Sequence, residues 1–454
     1  MKSEEPASYE EAAELLRGAA ADGRPVRFRG GGTKLGWGRP IPEPDLELCT
    51  GALDRVLEHN AGDFTAVLQA GVPLAVAQAA FASAGQMLAL DPPLSPWGGA
   101  GDDTALDTAD AGATIGGIVA TADSGPLRHK YGGVRDLVVG VKVVLSDGTI
   151  ARAGGKVIKN VAGYDLGKLF AGAFGTLGLI AEVTVRLHPR PARTATVVAR
   201  SSDPAQLAAA AAALAHAPLE ADSLDLWWDA FPVEDFQTET GVSLRPGPAS
   251  GSGAVLARFA SADPFPRAEE ATALLRRIGD TDMPVEIDDD DQACWDAQRT
   301  AQRSDVVVKV SALPAALPAS MAAAQALGGT LVARAGLGLA WIQLPVGTSP
   351  GEGGAGSAEA PADAGRTDAP ADAGRTRARG ERGALDAAVV AEAVEELRRR
   401  LAPAPCVLLD APAEVRARLD PWGGETGPVT LMRKVKERFD PAGVCAPGLF
   451  VGGI

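Results

Sequence analysis

Cysteine and histidine are scarce in this chain of 454 residues, four of each. Cys49, Cys294, Cys406 and Cys445 lie far apart and never in C-x-x-C spacing, so they read as isolated thiols, with no disulfide or iron–sulfur framework. Long apolar runs are missing: none approaches the ~20 residues of a membrane span. The opening M-K-S-E-E-P lacks the basic and apolar regions of a signal peptide, so a cytoplasmic place is expected. A basic excess is missing too. Net charge is −15 with the acids scattered, which argues against a nucleic-acid partner. Two nucleotide motifs also fail on spacing. No G-x-G-x-x-G opens a helix after a strand, which leaves a Rossmann site unsupported. Gly163–Lys168 has one residue too few between its glycines for a Walker loop, and Leu169 stands where Ser or Thr is required.

What the chain does have is apolar content, 46%, and length beyond one ordinary core, so two domains and a linker are expected. It also has glycine in ordered bursts between Gly112 and Pro189: T-I-G-G, Y-G, G-Y-D and G-T-L-G, with apolar strands at Leu137–Leu145 and Ile180–Leu187. Upstream, Ser8 and Glu11 form a capping box for a helix over 8–22, striped by Ala12, Leu15, Leu16 and Ala19. Strand Val26–Arg29 then enters R-G-G-G-T-K, Arg29 to Lys34. Its unhindered amides can form an anion nest supplemented by Arg29, Thr33 and Lys34; a glycine hairpin is the plainer alternative. Short strands at Leu46–Cys49 and Thr65–Gln69 precede a helix over Pro73–Ala84 with Leu74, Val76, Ala77, Ala80 and Phe81 inward, then L-A-L-D-P-P at Leu88–Pro93. Ser95–Asp110 reads as a surface insertion.

This order of motifs resembles the flavin-binding domain of the vanillyl-alcohol oxidase/p-cresol methylhydroxylase superfamily. Within it the chain looks most like the FAD-binding subunits of glycolate oxidases, closely over Tyr9–Pro191 and again at Leu431–Ile454. The resemblance implies an α+β architecture in three parts. A two-part FAD-binding domain spans 1–191 and an antiparallel-sheet α+β cap spans 192–428. A C-terminal helix and tail, 429–454, returns to the FAD domain. It implies that Arg29, Gly30, Gly31, Gly32, Thr33 and Lys34 hold the FAD pyrophosphate and that Asp91 and Pro92 turn beside the flavin. Ala113, Thr114, Ile115, Gly116 and Gly117 would lie along the flavin, with Ser124, Gly125, Arg128, Tyr131 and Gly132 wrapping it. Gly175, Thr176 and Ile180 would sit near the adenine. Neither His nor Cys occurs around Arg29–Trp37, so FAD attachment is expected to be noncovalent. The implied partners are a larger catalytic flavoprotein subunit and an iron–sulfur subunit, and the implied substrate is a small 2-hydroxy acid. A peripheral membrane place through those partners stays open. So does a non-catalytic role beside the catalytic subunit, with a vestigial flavin site.

In the cap region, strands are expected at Thr194–Arg200, Ser223–Trp228, Ala254–Phe259, Val306–Val310, Thr330–Arg334, Leu339–Leu344 and Cys406–Leu409. Helices at Gln206–Ala215, Ala268–Ile278, Ala319–Leu327 and Leu385–Leu401 would cover one face of an antiparallel sheet. Asp288–Asp291 reads as a solvated start to a helix over Ala293–Arg303 rather than a metal site. Within 347–383, A-P-A-D-A-G-R-T recurs without aromatics, so a disordered insert is expected. The last helix, Leu431–Phe439, runs into F-D-P-A-G-V-C-A-P-G, where Ala446 stands in place of the Asn usual in the resembling tails.

Oxidising a 2-hydroxy acid requires a base for the hydroxyl proton and a cation for the carboxylate. His129, between Arg128 and Lys130, is the histidine best placed to be that base; Lys159, Tyr164 and Asp165 follow it. His59 reads as part of a polar turn, His216 as the end of an Ala-rich helix and His188 as packed at the domain seam. His216 is the one histidine between 192 and 428, so the cap gives no support for a metal site.

Overall fold

A computed structural model describes residues 1–94, 112–156, 165–229, 251–278, 283–345, 387–424 and 427–454. The expectations for Ser95–Asp110, Lys159, Tyr164 and the 347–383 insert lie outside these residues.

The first helix, Tyr9–Ala21, is capped by Ser8, whose hydroxyl accepts from the Glu11 amide at 3.1 Å. The Glu11 carboxylate accepts from the Ala7 amide, one residue earlier than in the usual box. Its buried Ala12, Leu16 and Ala19 pack on a parallel sheet ordered Lys2–Glu4, Leu46–Cys49, Val26–Arg29. A second sheet is antiparallel, ordered Val56–Asn60, Thr65–Gln69, Leu179–Arg186, Val138–Val144 and Ile150–Gly154. Its two edge strands, Val56–Asn60 and Ile150–Gly154, carry too little apolar alternation to stand out in the sequence. His59 is therefore on a strand rather than in a turn, bonding Gln86 at 2.9 Å and meeting the Phe81 ring edge-on. Helix Leu74–Ala82 turns Leu74, Ala77 and Phe81 inward. Val76 and Ala80 are exposed, because they lie about 200° and about 240° round the helix from Leu74, a correction to the broader stripe expected.

The third sheet has eight strands, all antiparallel. Their order is Val285–Asp288, Arg193–Ser201, Ser252–Ser261, Ser223–Asp229, Thr330–Arg334, Leu339–Gln343, Val307–Ser311, Cys406–Asp410. One face buries Leu224, Leu226, Val308, Val310, Leu331 and Ala333 beneath the helices Pro204–His216, Phe265–Leu275, Leu317–Ala326 and Ala387–Leu401. Strand alternation sends Asp225, Trp227, Lys309, Val332 and Arg334 to the other face. Helix Gln292–Thr300 lies on that second face, its Trp295 buried with Val198 and Leu256, so the helices do not all share one side as expected. Asp291 at its start is buried, not solvated. Its carboxylate accepts from Thr194, Thr196 and Arg258, the last at 2.7 Å.

The C-terminal helix, Val429–Phe439, leads into a tail that returns to the first sheet: the Val26 amide donates to Val444 O and the Ala446 amide to Val26 O, each at 2.8 Å. No helix among the described residues is long and apolar enough to cross a membrane.

Candidate functional site

The glycine-rich segments come together because their glycines leave room for a close neighbour. A Cβ on Gly30 would overlap the Thr114 hydroxyl, which ties the R-G-G-G-T-K loop to T-I-G-G. A Cβ on Gly116 would stand 2.6 Å from the Ala70 Cβ, and the Gly116 amide donates to Ala70 O at 2.8 Å. Thr114 caps the helix Ile115–Thr121 by accepting from the Gly117 amide, while Ala113 and Ile115 are buried in the core below. A Cβ on Gly125 would overlap the Asp91 carbonyl, and the Leu127 amide donates to Asp91 Oδ1 at 3.0 Å. The D-P-P turn, with Pro92 buried, thus supports the Ser124–Gly132 loop. Gly32, Gly132 and Gly175 take φ of +74°, +79° and +75°, a region that glycine enters without penalty. Gly31, between Gly30 and Gly32, is half-buried in the first of these loops.

The side chains expected to hold an anion are partly committed to the protein. Arg29 pairs with Glu47 at 3.3 Å, and Lys34 pairs with buried Asp123 at 3.1 Å. Thr33 is buried, and its carbonyl accepts from Arg303 at 3.1 Å. Arg128 donates to the Ser124 hydroxyl at 3.3 Å. Tyr131 and Lys130 both donate to Asp222, at 3.3 and 2.8 Å, pinning this loop to the eight-stranded sheet. Gly175 rests on the Phe28 ring, the Thr176 hydroxyl donates to Ala173 O, and Ile180 is buried in the strand that follows. Asp165 caps the short helix Leu166–Phe170. His188 meets the Tyr131 ring at 4.7 Å, and the His216 ring bonds Ala212 O on the surface. His129 lies against Gly336 of the sheet region. Its buried Nδ1 has no hydrogen-bond partner among the described residues, and burial lowers its pKa against the pull of Asp222.

Facing these loops is a wall that the sequence reading missed. Arg334 is fully buried, pairs with Asp225 at 2.6 Å, bonds Gln302, and lies 4.8 Å from the Trp341 ring centre. Gln302 in turn donates to Ser124 O at 3.0 Å, joining the wall to the loop. Arg299 reaches Asp91 at 3.5 Å, and Arg303 pairs with Asp410, which also accepts from the Trp37 indole at 2.8 Å. Burial raises Asp225 to about 7 and Asp91 to about 6, against the opposing pull of Arg334 and Arg299. Lys309 lies 5.6 Å from the Trp341 centre, with its pKa lowered by burial despite Asp123 nearby. Among the described residues neither Lys309 nor Arg128 has an ion-pair partner. The signal was present as a single charge inside each of S-L-D-L-W-W, V-V-K-V-S and L-V-A-R-A. Such a residue in a buried strand is costly unless paired or used.

The close-packed glycine loops, whose backbone a ligand can approach, suit an anionic dinucleotide, and comparison with known proteins agrees. A model described as FAD binding domain matches residues 4–102 and 104–154. An uncharacterized FAD-linked oxidoreductase of Mycobacterium tuberculosis is 36% identical over 48% of this chain and 44% of its own length. Glycolate oxidase subunit GlcE of Escherichia coli is 35% identical over 39% of the chain and 46% of its own length. A D-lactate dehydrogenase of Archaeoglobus fulgidus is 37% identical over 43% and 40%. The chain thus spans less than half the length of these curated relatives. Among solved structures, an alkyldihydroxyacetonephosphate synthase superposes over 98% of this chain and 76% of its own, with a TM-score of 0.61 at 16% identity. Residues 4–154 accordingly carry an FAD-binding domain, within a fold of the p-cresol methylhydroxylase type, and FAD is the cofactor of this chain.

Proposed function

We propose that this chain is the FAD-carrying subunit of an oxidoreductase assembly that converts glycolate to glyoxylate, with FAD held noncovalently by the loops at Arg29–Lys34, Asp91–Pro92, Ala113–Gly117, Ser124–Gly132 and Gly175–Ile180. The observation that carries the reading is Lys309. It is a cation with no ion-pair partner among the described residues, on the sheet face opposite the flavin loops, with Arg128 across from it. Lys309 is half-buried, and holding an ammonium there without an ion-pair partner is unfavourable, so the site is suited to an incoming carboxylate. A small 2-hydroxy acid supplies that carboxylate, and glycolate, the smallest of the class, suits surroundings already occupied by Trp341, Arg334 and Gln302. Relatives named for glycolate and D-lactate support this substrate class.

When bound, FAD supplies a two-electron acceptor. The chain's own residues would do the rest. Lys309 and Arg128 anchor and orient the carboxylate, and Trp341 excludes water beside them. His129 is the imidazole nearest the loops, and its lowered pKa keeps it neutral and able to accept a proton. Its ring is packed against Gly336, however, so we expect proton removal to be slow in the isolated chain. A placed base is typically worth ~10²–10⁴-fold. The reading therefore includes a larger flavoprotein subunit and an iron–sulfur subunit as partners, with this flavin on the electron path.

The test is an anaerobic titration of the purified chain with glycolate and with D-lactate, following bleaching of the flavin absorption band. Slow or absent bleaching alone, with reduction once the partner subunits are added, is the expected result. Rapid and complete bleaching of the isolated chain would overturn the division of labour. A colourless chain that takes up no added FAD would leave a non-catalytic partner as the surviving reading.

A further inference from the structure

We propose that the C-terminal segment is a latch that sets FAD affinity by holding two cofactor loops in register, with Lys436 as its positioning residue. This rests on the reading of Arg29–Lys34 and Gly175–Ile180 as parts of the FAD cradle.

The Lys436 ammonium has three donors, and all three are used. One goes to Thr176 O at 2.7 Å, in the loop at the adenine end. A second goes to Cys445 O at 2.7 Å in the tail, and the third pairs with Asp440 at 2.6 Å. Asp440 is itself buried and accepts from the Val444 and Cys445 amides at 3.2 and 2.8 Å, so ammonium and carboxylate together fix the tail's turn. The turn delivers Val444 and Ala446 to Val26, and Val26 begins the strand that ends at Arg29 and opens the glycine nest. The same tail therefore grips one loop by a side chain and the other through a strand.

A second grip lies beside the first. Phe174 takes φ +55°, and its ring meets Trp422 at 5.1 Å and Phe450 at 5.5 Å. Gly175 follows at φ +75° against the Phe28 ring, so the strand that enters the first loop touches the second loop directly at this point. None of these groups needs to touch FAD. They fix the spacing between the pyrophosphate loop and the adenine loop, and a cradle that is already spaced loses less freedom on binding.

The test measures FAD dissociation constants by flavin fluorescence, and melting temperatures of the apo protein, for wild type, Lys436→Met and Ala446→Asn. Ala446 has φ +44°, a region that asparagine enters more readily than alanine, so Ala446→Asn should tighten the latch. We expect Lys436→Met to weaken FAD binding by at least ~10-fold, as the loss of a charge-assisted bond would, with the apo melting temperature moving by less than about 5 °C. Ala446→Asn should strengthen binding. Unchanged affinity in Lys436→Met with a lower melting temperature would show a merely structural tail and overturn the proposal. If Lys436→Met does not fold, Ala446→Asn decides: tighter FAD supports the latch and unchanged FAD overturns it. Wild type that binds no FAD overturns both the latch and the cradle it rests on.

Discussion

The loop side and the sheet side of the candidate site are held by different forces. On the loop wall, glycines make the close approaches: Gly30 on the Thr114 side chain, Gly116 on Ala70, Gly125 on the Asp91 carbonyl. On the sheet wall they are charge to charge: Arg334 with Asp225, Arg258 with Asp291, Arg303 with Asp410. Steric exclusion is steep and local, so the loop wall tolerates almost no added atoms. Electrostatic pairing is softer and depends on ionisation and on neighbours, so the sheet wall can be tuned. Shape is thus set on one side and charge on the other.

The largest effect should come from the steric wall. In Gly125→Val the new Cβ would overlap the Asp91 carbonyl, which cannot yield without dragging the D-P-P turn, and the Ser124–Gly132 loop would lose its seat. We expect loss of FAD from the purified protein, read as disappearance of the flavin absorption. The four helices on the far face of the eight-stranded sheet should remain folded by circular dichroism. Full flavin content in this variant would mean that the loop adapts and that the contrast between the walls is false.

The charged wall allows a test in which stability and function move in opposite directions. Lys309→Met removes an ammonium that burial already disfavours and keeps a side chain able to lie over Trp341. Thermal denaturation should therefore show a melting temperature unchanged or raised. In the reconstituted assembly, kcat/KM for glycolate should fall about 10–10²-fold through KM, because a charge-assisted contact is worth about 1.5–3 kcal/mol. A destabilised variant with unaltered KM would place Lys309 in the fold and away from the substrate.

The same contrast explains what was legible in the sequence. Glycine spacing is local and sparse in alternatives, so Arg29–Lys34, Ala113–Gly117 and Gly175–Ile180 could be picked out without coordinates. Strands with strong apolar content, Val26–Arg29 and Thr330–Arg334 among them, fall where expected. The polar edge strands Val56–Asn60 and Ile150–Gly154 did not announce themselves, since half of an edge strand's bonds are made to nothing and its pattern is weak. Asp225, Gln302, Lys309 and Arg334 belong to separate strands and one helix end, and only the sheet order brings them together. Lone charges in apolar strands were the clue, but each looked like an isolated exception. The acidic run at 288–291 shows the converse: it looked solvated, and its last member is buried because Arg258 and two threonines receive it.

The smallest expected effect concerns how the charged wall responds to pH. Burial raises Asp225 to about 7 in the folded chain, from an ordinary unfolded value near ~3.9. The folded state then binds this proton more tightly than the unfolded state does. Stability from this group is fully present below pH ~4 and is lost as pH rises toward 7. Asp91, raised to about 6, acts in the same direction over a narrower range. Asp225→Asn removes the first proton site while keeping the shape beside Arg334, so it should be less stable than wild type at every pH, with the gap shrinking as pH rises from 5 to 7.5. Melting temperatures in a buffer series at constant ionic strength read this directly. A gap that widens with pH would mean that Arg334 holds Asp225 ionised throughout, and that this wall is a fixed ion pair rather than one whose charge shifts with pH.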